Sequence, residues 1–146
     1  MSAAEQGGDW IRGITIKQPF TAAILTGSKT IENRRKPWSW RGWLLLHAGR
    51  KVDQQALREP LIARTVRGRE LVTGAVLGVA RLADCHQSTA GGPPCTWWAE
   101  PGRWHLVLTD VQELARPIPA QGQLGPWKPT EELVDQVLQQ LPHLRP

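Results

Sequence analysis

The alternation of apolar and polar residues divides the first third of the chain into short elements. Residues 14–17 read Ile-Thr-Ile-Lys, a pattern typical of a half-buried strand. Pro19 suits the first position of a helix and Gly27 suits its C-terminal stop, so we predict a helix of about two turns between them. Residues 29–34 alternate again and predict a second strand. The almost wholly apolar run 43–48 predicts a central strand, followed by a turn.

The same patterns continue, less regularly, to the end of the chain. A helix is predicted over residues 53–67, and Pro60 should kink or interrupt it. Residues 71–82 and 104–109 predict two further strands, and glycines in the first of them indicate bends or bulges. Residues 83–103 form a long irregular segment, and loops of that length are often functional.

These elements predict an α+β, mainly β fold. Five to six short strands with two to three peripheral helices fit best as a small, curved, mostly antiparallel β-barrel. A chain of 146 residues suffices for one domain with an ordinary core. We predict a flexible N-terminus over residues 1–12, the domain over 13–128, and a C-terminal helix over 129–146 that is capped by Thr130 and packs on the domain.

The composition of the chain argues against a membrane protein and against a secreted protein. The chain has no apolar run of the roughly 18 residues that a membrane span requires. The first ten residues lack the basic and apolar regions of a secretory signal. Cys85 and Cys95 do not make a disulfide framework. We therefore expect a reduced, cytoplasmic setting and no membrane partner.

The distribution of charge favours an anionic partner, with nucleic acid first. Residues 12–81 carry 14 Lys and Arg against four acidic residues, a net charge of +10, whereas the remainder carries four against nine, a net charge of −5. A basic half of this kind suits phosphate, although a solvated basic face would look the same. The eight Trp residues either fill a core or stack on bases.

The most informative cluster of polar residues surrounds Lys29. This lysine directly follows the predicted helix stop, where it can pair with a phosphate, act as a base or remain solvated in a turn. Arg34, Arg35 and Arg41 carry the forked donors that suit phosphate. Glu32 lies among these cations, where it either forms a structural ion pair or accepts a hydrogen bond from the exocyclic amine of a base.

Two further segments complete the candidate binding set. Lys17 and Gln18 lie at the predicted strand-to-helix turn, where backbone N–H groups can also meet an anion. In the long irregular segment, adjacent aromatic rings would face opposite ways, so that one is core and the other the wall of a pocket. This segment contributes His86, Trp97, Trp98 and Glu100.

A metal site is not expected from the spacing of the soft ligands. The candidates are Cys85, His86, Cys95 and His105, which do not form a C-x-x-C pattern. Adjacent Cys85 and His86 make an awkward pair of ligands. We predict no metal site and no cofactor.

Several motifs occur in a characteristic order. Residues 16–19 read IKQP, residues 27–34 read GSKTIENR and fit the pattern G-x-K-x-x-E-x-R, and residues 41–48 read RGWLLLHA. Further matches lie at residues 74–82, 84–86, 97–100, 104–108 and 117–127. Together they resemble the ASCH domain, a branch of the PUA-like superfamily, over nearly the whole predicted domain.

The resemblance implies a PUA-like barrel with a cleft beside the first helix. Relatives in that superfamily bind RNA or hold a modified base in an aromatic pocket. Some small ASCH proteins resemble amidohydrolases that act on N4-acylated cytidine with a Lys, a Thr and a Glu, and others act on RNA. Here Glu32 stands where the hydrolase-like members have the Thr nucleophile, and a carboxylate is a poor substitute for it. Glu100 is the best match to their Glu.

Our leading prediction is a monomeric protein that binds nucleic acid, RNA in preference to DNA, or a nucleotide, in a basic cleft. The alternative is a small hydrolase acting on N4-acylated cytidine nucleosides or on RNA, in which Lys29 is central and Glu32 or Glu100 assists. A third possibility is a protein-interaction module that uses exposed tryptophans. Its candidates are Trp38, Trp40 and Trp127.

Overall fold

The structure, a computed structural model, describes residues 9–87 and 94–146. Its strands are β1 (Ile11–Gln18), β2 (Ile31–Arg34), β3 (Gly42–Val52), β4 (Ala75–Gln87) and β5 (Trp104–Pro119). Its α-helices are α1 (Phe20–Leu25), α2 (Pro60–Thr65) and α3 (Glu131–Gln140). Short 3₁₀ turns lie at Ala56–Arg58 and Pro142–Leu144. Most of the predicted flexible N-terminus lies outside the described residues, so the predicted domain boundaries stay predictions.

One five-stranded sheet organises the described residues, in the order β1-β3-β4-β5-β2. The pair β1–β3 is parallel, whereas β3–β4, β4–β5 and β2–β5 are antiparallel. The predicted α+β, mainly β class is therefore confirmed, with a mixed sheet. Within residues 9–87 and 94–146 no strand pairing joins β1 to β2, so closure into a barrel is not confirmed. None of the described helices is long and apolar enough to cross a membrane.

Two strands are longer than their apolar patterns predict. β4 continues to Gln87, and β5 runs on to Pro119, so the predicted irregular segment loses its first residues to the sheet. The pairing of β4 with β5 shifts register three times, at Val76/Gly78, Val79/Arg81 and Leu82/Asp84. Each shift changes which face a residue occupies, and a period-two pattern cannot follow such changes.

Two other segments also depart from their predicted form. β3 extends through the predicted turn to Val52 because its last residues stay in the strand. The predicted helix over 53–67 is divided, and α2 begins at Pro60 with Glu59 as its N-cap, which accepts a hydrogen bond from the Leu61 N–H. The expected interruption at Pro60 is confirmed, because a proline fits the first turn of a helix better than its interior.

The core lies on both faces of the sheet. Leu45 packs on one side with Val79 and the apolar face of α3. Leu44 and Leu46 pack on the other side with Ile24 of α1. Successive side chains of a strand point to opposite faces, so β3 is buried on both faces, as its apolar run predicts.

The segment before α3 is anchored on β1 through Gly13 and Trp127. The Gly13 N–H donates to the Trp127 carbonyl at 2.7 Å, and the Trp127 N–H donates to the Gly13 carbonyl at 3.0 Å. The Trp127 indole N–H donates to Thr15 Oγ1 at 3.1 Å. A Cβ on Gly13 would lie 2.2 Å from Cε2 of the indole, so only glycine fits beneath the ring.

Replacing Gly13 with alanine should therefore destabilise the fold. We expect Gly13→Ala to lower the free energy of unfolding by about 1–3 kcal/mol, because the added methyl group overpacks the contact with Trp127. Gly49→Ala is the matched control, since its nearest non-neighbouring atom is a single methyl carbon of Thr15 at 3.2 Å. Urea unfolding measures both, and equal losses for the two variants would contradict this account.

Candidate functional site

An open cleft of about 980 Å³ lies where β1, α1 and β2 meet the aromatic segment 97–101. β1 contributes Lys17, α1 contributes Phe20, and β2 contributes Glu32 and Arg34. The remaining polar and aromatic lining includes Lys29, Asn33, Arg35, Lys36, Trp38, Asp53, Trp97, Trp98, Glu100 and Arg103. The turn after α1 and the short strand β2 thus bring most of the predicted binding residues to one place.

Lys29 is buried at the wall of the cleft rather than solvated in a turn. Its side chain is only 2% exposed. Nζ donates to the Ile31 carbonyl and to Glu32 Oε1, the latter at 2.8 Å. The same ammonium lies 5.7 Å from the centre of the Phe20 ring and 6.0 Å from that of Trp98. A buried cation needs such partners, and these hold Lys29 in one position.

Glu32 links Lys29 to Arg34. Its second carboxylate oxygen lies 3.3 Å from Arg34 Nη2. The same nitrogen donates to the Thr15 carbonyl at 2.9 Å, and the guanidinium lies 5.6 Å from the centre of the Trp38 ring. Arg34 Nε is buried and has no hydrogen-bond partner among the described residues. The network therefore retains a buried donor without a partner among the described residues, at Arg34 Nε.

Asn33 positions the aromatic wall of the cleft. Its side-chain N–H donates to the Trp98 carbonyl at 2.9 Å, and its side-chain oxygen accepts from the Glu100 N–H at 2.9 Å. Trp97 is 55% exposed, and its ring meets the half-buried Trp98 ring edge to face at 5.0 Å. Asn33 is absent from the residues predicted from the sequence, although its place between Glu32 and Arg34 in the motif was an available signal.

The charge of the lining is predominantly positive. Within the part of the chain that the structure describes, six cationic side chains line the cleft against three acidic ones. Glu100 is among the acidic residues, with a side chain that is 61% exposed and lies 3.5 Å from Arg103 Nε. Two of the six cations, Lys29 and Arg34, are already paired with Glu32. The exposed residues Lys17, Arg35 and Lys36 are the ones available to an anionic ligand.

A second groove of about 560 Å³ adjoins the cleft. Lys17 and Arg34 line both, and Arg50 and Lys51 add two exposed cations at the end of β3. Arg50 and Lys51 are absent from the residues predicted from the sequence, because the pattern there predicts a turn and shows no partner surface. The positive surface therefore extends beyond the cleft itself.

His47 lies at the buried edge of this second groove. Its Nε2 donates to the Ala120 carbonyl at 2.7 Å. Burial lowers the pKa of His47 below its usual value, although the hydrogen bond to Ala120 acts in the opposite direction. The imidazole therefore favours its neutral form, and the positive charge of the groove comes from its lysines and arginines.

Three of the predicted binding residues do not line the cleft or the groove. Gln18 is fully buried, and its amide accepts from the Ala22 N–H at 2.9 Å and donates to the Val72 carbonyl at 2.9 Å. Arg41 turns back on its own loop and donates to the Trp38 carbonyl at 2.6 Å. His86 lies instead beside His105. Backbone groups occupy both polar atoms of Gln18, whereas in Arg41 two backbone carbonyls of the same loop hold Nη1.

Three of the four cysteine and histidine residues considered as metal ligands also come together, away from the cleft lining. His86, Cys95 and His105 place one candidate ligand atom each within 4.8 Å of one another. Cys85 is not part of this group and packs beside one of the apolar clusters of the core. The strand register and the return of the irregular segment create this group, and neither is visible in the sequence spacing.

Comparison with solved structures finds the same fold in an ASCH protein from Zymomonas mobilis. Its crystal structure has a TM-score of 0.54 and 19% identity, over 89% of this chain and 95% of that chain. Two single-residue mutants of that protein each have a TM-score of 0.55 and 20% identity, over 88% of this chain and 95% or 96% of theirs. No protein-family model and no curated protein matches the chain.

The predicted resemblance to ASCH domains is therefore confirmed as an ASCH-like fold. An identity of 19–20% establishes the fold alone, so the chemistry of the site has to be argued from this chain's own residues.

Substitutions at the neighbouring residues Lys17 and Gln18 should differ strongly in their effect on stability. We expect Gln18→Ala to lower the free energy of unfolding by about 1–3 kcal/mol, because it leaves the buried Ala22 N–H and the partly buried Val72 carbonyl without partners. Lys17→Ala changes an exposed residue, and its unfolding free energy should stay within about 0.5 kcal/mol of the original. Denaturant unfolding measures both, and a stable Gln18→Ala protein would show that this amide has no structural role.

Proposed function

We propose that this protein binds nucleic acid, with RNA as the preferred partner, through the cleft and its adjoining groove. The observation that carries this proposal is the continuity of the positive surface, since Lys17 and Arg34 line both depressions. A free nucleotide would need only one of them, whereas a strand with several phosphates can follow both. The same proposal includes a cytoplasmic, monomeric protein.

The cleft suits a base and the groove suits phosphates. The exposed ring of Trp97 offers a face on which a base can stack, and such stacking contributes roughly 1–3 kcal/mol per base. Arginine and lysine side chains neutralise phosphates and release counterions from the nucleic acid. Arg35, Arg50 and Lys51 are exposed and line these depressions, so they are available for this role.

Glu32 adds a way to distinguish bases. Its two oxygens accept from Lys29 and Arg34, but a carboxylate has about four lone-pair sites, so it retains capacity for another donor. An exocyclic amine of cytosine or adenine is such a donor. The buried Lys29 and the partly buried Arg34 hold the carboxylate in place, so the acceptor is positioned before the base arrives.

Charge reversal at Arg35 should weaken binding much more than charge reversal elsewhere. We expect Arg35→Glu to reduce the affinity for short single-stranded RNA about tenfold or more, and to lower the slope of log K against log salt by about 0.7. Arg116→Glu is the matched control, because it changes the net charge equally on an exposed part of β5 that lines neither depression.

Fluorescence anisotropy over a salt series measures these affinities for single-stranded RNA, duplex RNA and duplex DNA. Equal losses for Arg35→Glu and Arg116→Glu would mean that net charge alone drives binding, and the proposed site would be wrong. A preference for duplex DNA would overturn the choice of RNA. Product analysis of the same samples shows whether the nucleic acid stays intact.

A second candidate function is hydrolysis, and the burial of Lys29 next to Glu32 at the cleft wall favours it. In hydrolysis of an N4-acylated cytidine, water adds to the acyl carbonyl and the bond from carbonyl carbon to N4 breaks. The products are cytidine and a carboxylic acid. Lys29 would serve in proton transfer, with Glu32 or Glu100 assisting, and RNA is the other candidate substrate.

Lys29→Ala tests this second function. If the protein is a hydrolase, the variant should lose about 10²-fold or more of its rate, because positioned acid–base groups contribute that much. Lys128→Ala is the control, since it removes an exposed lysine outside the cleft lining. Chromatography of cytidine released from N4-acetylcytidine measures the rate. Identical rates in the original protein and Lys29→Ala would overturn the hydrolase function, and circular dichroism checks that the variant is folded.

A further inference from the structure

The strand pairing places two histidines opposite each other, next to a cysteine. His86 of β4 and His105 of β5 are directly opposite partners in the antiparallel register. Their rings lie 5.5 Å apart. Cys95, from the segment that returns to β5, places its sulfur 3.6 Å from His105 Nδ1. The three candidate ligand atoms all lie within 4.8 Å of one another.

Both histidines are oriented by a second partner. His105 is fully buried, and its Nε2 lies 2.9 Å from the Glu100 carbonyl. A carbonyl only accepts, so Nε2 carries the proton and Nδ1 faces Cys95 as a lone pair. His86 Nδ1 lies 3.5 Å from a carboxylate oxygen of Asp84, which leaves Nε2 as its ligand nitrogen. Histidines that bind metals usually donate their other N–H to a carbonyl or a carboxylate in this way.

The spacing of the sulfur and nitrogen fits a tetrahedral metal ion. Zinc bonds of about 2.3 Å to sulfur and about 2.0–2.1 Å to nitrogen place these two ligands about 3.6 Å apart in a tetrahedron. The distance between Cys95 Sγ and His105 Nδ1 is 3.6 Å. The ligand nitrogen of His86 lies within 4.8 Å of both of these atoms, and its half-buried side chain at the rim of the group has room to turn toward them.

We propose that His86, Cys95 and His105 form a binding site for Zn²⁺, with a fourth position open to water. One thiolate and two imidazoles suit this borderline-soft ion, and three protein ligands leave one coordination position for solvent or a ligand. The sequence-based prediction of no metal site rested on the missing C-x-x-C spacing, which does not exclude ligands brought together by strand pairing, and on the awkward pair Cys85 and His86. That objection disappears because Cys85 points away from the group, as adjacent residues of a strand do.

The proposed ion would also stabilise the wall of the cleft. Cys95 precedes Trp97 and Trp98, and His105 holds the Glu100 carbonyl after them. The aromatic segment is thus bounded on both sides by residues of the proposed zinc site. The zinc site does not depend on the proposed nucleic-acid binding, and either can fail without the other.

Titration of the full chain with Co²⁺ under reducing conditions tests the site. We expect one equivalent of Co²⁺ to produce a thiolate-to-cobalt charge-transfer band, and one equivalent of Zn²⁺ to displace it. Cys95→Ser should abolish the band, and His86→Gln should weaken Co²⁺ binding more than tenfold. Cys85→Ser is the matched control and should bind as the original protein does. His105 is left unchanged because it is fully buried.

Thiol alkylation provides a second measurement, on a protein that retains all three proposed ligands. In the Cys85→Ser variant Cys95 is the remaining cysteine, and one equivalent of Zn²⁺ should slow its reaction with iodoacetamide at least tenfold. No charge-transfer band with Co²⁺, a band that survives in Cys95→Ser, or an alkylation rate unaffected by Zn²⁺ would each overturn the proposal. Circular dichroism confirms that each variant is folded.

Discussion

The ion pairs of Glu32 hold the candidate site and the sheet edges together. Lys29 and Arg34 are both held by its carboxylate, and Arg34 continues from β2 to the Thr15 carbonyl of β1. Because β1 and β2 are the two edge strands, this side-chain contact links the ends of the sheet where no backbone pairing does so among the described residues. Removing buried charges from water is costly, so each member needs the others.

This network also explains how the four residues of β2 position both the ionic and the aromatic groups of the cleft. Alternate side chains of β2 point in opposite directions. Glu32 and Arg34 therefore share one face and form the ionic network, while Asn33 faces the other way and binds the backbone of the aromatic segment. A single short strand thus fixes both the polar floor and the aromatic wall of the cleft.

The same aromatic segment connects the cleft with the His86, Cys95 and His105 group. Cys95, just before the segment, contacts His105, and the Glu100 carbonyl, near the end of the segment, accepts a hydrogen bond from His105. Asn33 holds the middle of the segment. Two strands, β5 through His105 and β2 through Asn33, therefore restrain the backbone that carries the Trp97 and Trp98 rings. Restrained aromatic residues lose less conformational entropy when a ligand stacks on them.

The local pattern of the sequence determined the elements that depend on local physics. Alternation placed β1 and β2, the uninterrupted apolar run placed the buried centre of β3, Pro60 interrupted the predicted helix, and Thr130 capped α3. The motif around Lys29 and Glu32 identified the residues of the cleft and the ASCH-like fold. These features follow from side-chain periodicity, backbone restriction and capping, which act over a few residues.

The tertiary structure alone decided which polar side chains are available to bind a ligand. Gln18 carries suitable groups, but backbone atoms of the fold already bind both of them, and Arg41 turns Nη1 back onto its own loop. Arg50 and Lys51 became part of a groove only because residues 120–124 come to lie beside β3. His86, Cys95 and His105 meet because a bulged register sets one strand against another. Burial and long-range pairing depend on the whole chain, so no local pattern records them.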